Sequence, residues 1–239
     1  MSKEGLEKLN QDLLKHYKET GIEKALYYEP FEEQFWERGF RLVYCNLEPY
    51  DTGKWTDGYH KVTTEVFEEG WKDNRTIRFS MKLSKFVLDI ANKKSFSNDD
   101  VKKRMDSDDL FDDFKHCAYM NMRPTFSSTV AQNPEEIKRL YSTDPFYKDF
   151  LKKYIEELKD ENIDEIFILA GKDSNEIINE VFPDMHLEFD GAPVWQNNSK
   201  GEKKYMFISM KHPSSKGENG VHFSNEYACE ILKRIKDNW

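Results

Sequence analysis

A chain of 239 residues in which large apolar types make up 38% and aromatic rings 14% has enough bulky side chains to build a core, which excludes wholesale disorder. Forty-five acidic against 36 basic side chains leave a formal net charge of −9, which excludes a molecule that attracts nucleic acid over its whole surface. Any contact with a phosphate backbone therefore has to rest on a local basic patch.

Residues 3–19 carry Leu6, Leu9, Leu13, Leu14 and Tyr17 at helical spacing, with Gly21 placed to end the helix. A second short helix is expected over 30–38, opening at Pro30, and it leads into the compact apolar run 40–45, which has strand length. Residues 46–64 hold Pro49, Gly53 and Gly58 among polar groups and read as one long loop of the kind that often carries function. Helical spacing returns over 80–92. The stretch 99–113 has seven aspartates against three basic residues and reads as a solvated helix face or loop.

A second strand is expected over 117–122, then a loop from Arg123 to Ser128. Phe146, Phe150, Leu151, Tyr154, Ile155 and Leu158 mark an amphipathic helix, and 165–170 a third strand ending at Gly171. A helix over 174–181, a fourth strand over 204–210, a loop to Gly220 and a final helix carrying Phe223, Tyr227, Ile231, Leu232 and Ile235 complete the chain. Short apolar strands separated by helices predict a single α/β domain over 1–239, a three-layer α/β/α sandwich with a central, mostly parallel four-stranded sheet.

No run approaches the roughly 20 apolar residues of a membrane span. The first eight residues mix both charges, so no secretory signal or membrane partner is expected and the protein is assigned to the cytoplasm. Cys45, Cys117 and Cys229 are odd in number and far apart, which suits buried thiols in a reducing compartment; neither a metal nor another cofactor is expected.

The Gly171-Lys172 pair lacks the upstream glycine of a phosphate loop, because position 166 is Ile. Nucleophile-elbow, zinc-protease and dinucleotide motifs are absent too. Three polar clusters remain at three strand ends: Asn46-Leu47-Glu48-Pro49-Tyr50-Asp51, Asn121, and His212-Pro213-Ser214-Ser215-Lys216-Gly217. Singly, each has an ordinary explanation as a turn or a backbone-bonded amide. Together they deliver a carboxylate, an amide and an imidazole to the carboxyl edge of one sheet, where open α/β sheets bind ligands.

These clusters resemble the uracil-DNA glycosylase superfamily. Its water-activating motif G-Q-D-P-Y-H is matched in register by residues 46–51, its strand-end asparagine by Asn121, and its H-P-S-P-L-S loop by residues 212–217. The resemblance spans strand-to-loop junctions from about 40 to 235 and implies hydrolysis of the N-glycosidic bond of uracil or another altered base flipped out of DNA, a base-excision step of DNA repair. It implies catalytic roles for Glu48, which would position water, and His212, which would donate to the departing base.

Asn46, Tyr50, Asn121 and Ser214 would bind the substrate, while Lys211, Ser215 and Lys216 would contact DNA. The lysines at 200, 203 and 204 are further basic candidates, and Trp55, Tyr59 and Phe126 are candidates for stacking on the base. Three departures stand out: Glu48 where the family has Asp or Asn, Asn46 in place of the motif's Gly, and Lys216 in place of an apolar wedge. A monomer is expected. The alternative reading is a non-catalytic nucleotide-, DNA- or protein-binding module that keeps the fold.

Overall fold

The computed structural model describes residues 3–28, 40–46, 58–62, 75–107, 117–122, 134–213 and 225–239. The helix expected over 30–38 lies outside them. In chain order the elements are α1 (Lys3–Thr20), β1 (Lys24–Tyr28), β2 (Phe40–Asn46), β3 (Gly58–Val62), α2 (Arg75–Ala91), α3 (Asn98–Asp106), β4 (Cys117–Asn121), α4 (Pro134–Thr143), α5 (Pro145–Leu158), β5 (Asp164–Ala170), α6 (Lys172–Val181), β6 (Val194–Asn197), β7 (Lys203–Met210) and α7 (Asn225–Asn238).

The result is an α/β fold around a five-stranded mixed sheet of order β4-β2-β5-β7-β6. The four predicted strands, β2, β4, β5 and β7, are mutually parallel and adjacent. The expectation of four strands is corrected by β6, which runs antiparallel to β7 at the sheet's edge and carries an irregularity between Gln196 and Asn197. The predicted loop over 46–64 is corrected as well: β3 lies inside it and pairs in parallel with β1 as a separate two-stranded sheet. Helix α4 was not expected and precedes α5 directly.

Strand alternation explains why the four runs read as continuous apolar segments, since both faces of each strand are covered. On one face Val43, Cys45, Ala118, Met120, Phe167, Leu169 and Phe207 pack with α1, α4, α5 and α6. On the other, Leu42, Tyr44, Cys117, Tyr119, Ile166, Ile168, Met206 and Ile208 pack with α2, α3 and α7. Cys45 and Cys117 thus belong to opposite cores and both are buried, whereas Cys229 on α7, also expected to be buried, is only half-buried.

Local chemistry sets the helix ends. Helix α1 stops at Gly21, whose φ of +73° suits a residue without a Cβ, and the Ile22 N–H then donates to the Tyr17 carbonyl at 2.9 Å. Ser97 and Asp100 form a reciprocal capping box at the start of α3. Asp144 caps α5 ahead of Pro145, and its other carboxylate oxygen meets His16 Nε2 of α1 at 2.9 Å. Among the described residues no helix is long and apolar enough to cross a membrane.

Candidate functional site

Because β2, β4, β5 and β7 are parallel, their carboxyl ends share one edge of the sheet. From β2 the chain crosses to β4 on one side, and from β5 it crosses to β7 on the other. The direction of winding therefore reverses between β2 and β5, and beyond the strand ends at such a reversal open α/β sheets form the crevice in which they bind ligands. Asn46 ends β2 on one side of this crevice, and Gly171 follows β5 on the other.

Asn46 and Asn121 are register partners on adjacent strands, which sets their backbones about 4.8 Å apart. The Asn46 carbonyl accepts the Met122 N–H at 2.8 Å, so the two strands stay paired to their last residues. By alternation both asparagine side chains share the face of Leu42, Tyr44, Cys117 and Tyr119. Both residues are buried, at 4% and 8% exposure. Below Asn46, the Tyr44 hydroxyl donates to the Ser80 carbonyl of α2 at 2.8 Å and closes the floor. The amide of Asn46 is different: among the described residues neither Nδ2 nor Oδ1 has a hydrogen-bond partner.

His212 follows β7 and lies against the start of α6. The Gly171 N–H donates to the Met210 carbonyl at 2.8 Å, and a Cβ built on Gly171 would stand 3.5 Å from the His212 Cβ. Gly171 has φ of +96°, a conformation other residues rarely adopt, and it lets β5 turn into α6 beside the imidazole. Burial pushes the His212 pKa down to about 4, since charging the ring would cost its hydration. The imidazole is therefore neutral at physiological pH. A neutral ring can donate one hydrogen bond without repelling a cation forming nearby.

The backbone before His212 is tied to α7. The Lys211 N–H donates to the Tyr227 hydroxyl at 2.8 Å, and that hydroxyl donates to Asp190 Oδ1 at 2.6 Å. Arg234 donates to the same Asp190 oxygen at 2.7 Å and to the Gly191 carbonyl at 3.0 Å. Burial works to raise the Asp190 pKa, but the hydrogen bonds from Tyr227 and Arg234, with the charges of Arg234 and Lys211, outweigh it and hold the carboxyl below its ordinary range. Sequence reasoning treated Tyr227 as a core residue and passed over Asp190 and Arg234. The Asp190-Gly191 turn signal was the one available hint.

The remaining expected residues divide clearly. Lys211 is at this edge, with its ammonium 3.4 Å from Asp190 Oδ2 and over the Tyr227 ring. Lysines 203 and 204 stand at the start of β7, about 23 Å from its carboxyl end at strand rise, and Lys204 pairs with Asp164 at 3.0 Å. Lys200 lies beyond them, so the 200–204 group stands at the opposite edge from Asn46, Asn121 and Lys211. Tyr59 stacks on Tyr17 and donates to the Ile22 carbonyl at 2.7 Å, so packing against α1 accounts for its ring. Glu48, Tyr50, Trp55, Phe126, Ser214, Ser215 and Lys216 lie outside the described residues. Among those described, no group of three or more His, Cys, Asp or Glu side chains is gathered to hold a metal.

The arrangement thus offers two amides and a neutral imidazole along one strand edge, suited to an uncharged, planar, hydrogen-bonding ligand. Compared with protein-family models, curated proteins and solved structures, the chain matches none.

Proposed function

We propose that this chain is a DNA-base glycosylase of the uracil-DNA glycosylase type, with a three-layer α/β/α plan and a monomeric, intracellular mode of action. The observation that carries this reading is the neutral His212 at the same carboxyl edge as Asn121 and Asn46. A base extruded from the stack enters the crevice. Asn121 pairs with its edge, and His212 donates to the oxygen on which negative charge develops. The C1′–N bond breaks with its electron pair leaving on the base. Water positioned by Glu48 adds to C1′, and the base takes up a proton.

The test is incubation of the pure protein with single- and double-stranded oligonucleotides bearing uracil, hypoxanthine and other altered bases, followed by detection of abasic sites. Abasic sites that disappear in His212→Ala support the reading. A single oxyanion donor typically contributes about 100- to 1,000-fold in rate. A panel with no abasic sites sinks it.

One observation favours the non-catalytic binding module. Lys211 is already paired with Asp190, and the 200–204 lysines stand at the far edge, so neither group offers free positive charge at the crevice. Retention of an oligonucleotide or nucleotide without base release would select that reading.

A further inference from the structure

Asn46 is 4% exposed, yet among the described residues both atoms of its side-chain amide lack a hydrogen-bond partner. An amide buried without partners is disfavoured in the ligand-free fold, because it has given up water at both a donor and an acceptor. Its position is not a random spot in the core. Asn46 ends β2 beside the crevice where the winding reverses, in register with Asn121 and across from the β5 end that touches His212. The Tyr44 hydroxyl is held by α2, and the Asn46 main-chain carbonyl is held by Met122.

We propose that Asn46 is a second base-reading amide, and that the ligand at this edge presents a hydrogen-bond donor beside an acceptor. A lactam edge (C=O next to N–H) or an amidine edge (ring N next to NH2) meets that demand and satisfies Nδ2 and Oδ1 together. A phosphodiester does not, since its oxygens only accept and would leave Oδ1 unmet. The inference rests on the base-binding reading of this edge, but not on catalysis. It assigns a discriminating role to a side chain at a position where the resembled motif carries glycine. Two amides side by side can pair with two neighbouring edges of one ring, so the pair selects for heterocycles with polar groups at adjacent positions.

The test uses the full chain with 15N label. Free uracil, hypoxanthine, cytosine, adenine and dimethyl phosphate are added separately, and the side-chain amide signal of Asn46, identified by its loss in Asn46→Asp, is followed. The expected result is a saturable shift with at least one heterocycle and none with dimethyl phosphate. A shift with dimethyl phosphate alone, or with none of the five, overturns the inference.

The paired measurement is Asn46→Leu, which keeps the branched frame and replaces both polar atoms with methyl groups. It is expected to raise the thermal midpoint by a few degrees while weakening binding of the responsive base by about tenfold or more. A lowered midpoint, or unchanged base binding, overturns the inference. The two readings separate cleanly. If a base shifts Asn46 and Asn46→Leu loses that base, but no oligonucleotide yields an abasic site, the glycosylase reading falls and the inference stands. If excision proceeds equally in wild type and Asn46→Leu, the inference falls and the glycosylase reading stands.

Discussion

At the scale of single residues, burial does opposite things at the two edges of the sheet. At the carboxyl edge it keeps His212 neutral, with a folded pKa of about 4 against an ordinary 6.5. Between those values the unfolded chain takes up a proton that the folded chain refuses, so stability falls as pH drops through this window and is fully present above it. The effect is at most roughly 3 kcal/mol. Urea unfolding at steps from pH 7.5 to 4 checks it: wild type is expected to lose stability faster than His212→Gln, and parallel curves would refute the assignment. At the amino edge, Arg41 and Glu165 are register partners with Nη1 and Oε1 3.3 Å apart and side chains 2% and 0% exposed. Burial raises the Glu165 pKa and lowers that of Arg41, each against the attraction of the other. Removing one partner leaves a buried charge, so Glu165→Ala is expected to cost about 3–5 kcal/mol, whereas Arg41→Met with Glu165→Leu is expected to fold within about 1 kcal/mol of wild type or better. Chemical denaturation of the single and double variants decides it.

Among elements, the joint that matters most is between α7 and the exit of β7. Tyr227 on α7 holds the Lys211 N–H, and Asp190 with Arg234 holds Tyr227. Tyr227→Phe keeps the ring and removes the joint. It is expected to cost about 1–3 kcal/mol and to let His212 move toward solvent, so that its NMR titration shifts up from about 4 toward the ordinary value. If excision is present, turnover falls more than binding. An unmoved His212 titration would reduce Tyr227 to a packing role. The β5–α6 joint makes a second case. Gly171→Ala meets His212 only at ordinary contact distance, so its cost is that of φ +96° itself, about 1–3 kcal/mol, and a thermal melt measures it. Neither joint was fully legible in the sequence. Gly171 was visible as a strand terminator, but the Tyr227 network joins groups from segments far apart in the chain, and no periodicity encodes it. The four parallel strands were legible because burial on both faces leaves uninterrupted apolar runs. Strand β6, at the sheet edge and half-buried, leaves no such run, and β1 and β3 depend on a partner far along the chain. Asn46, Asn121 and His212 were legible because each ends or closely follows a legible strand; the unmet amide of Asn46 was not, since a missing partner is a property of three-dimensional packing.

For the molecule as a whole, the order β4-β2-β5-β7-β6 separates stability from recognition: the buried ion pair lies at one edge of the sheet and the candidate crevice at the other. The same order has a consequence in time. Strand β2 is early in the chain and lies inside the sheet, and its neighbours come late: Leu42 faces Cys117, and Phe40 faces Asp164. At a synthesis rate of about 5–20 residues per second, β2 waits roughly 5 to 25 seconds for its two partners, with both hydrogen-bonding edges open. Such distant parallel pairing is slow to form, and an unpaired apolar strand is a template for association with other chains. The strand that ends in the reading amide is therefore an open edge through much of the protein's own synthesis, and refolding yield should fall as protein concentration rises.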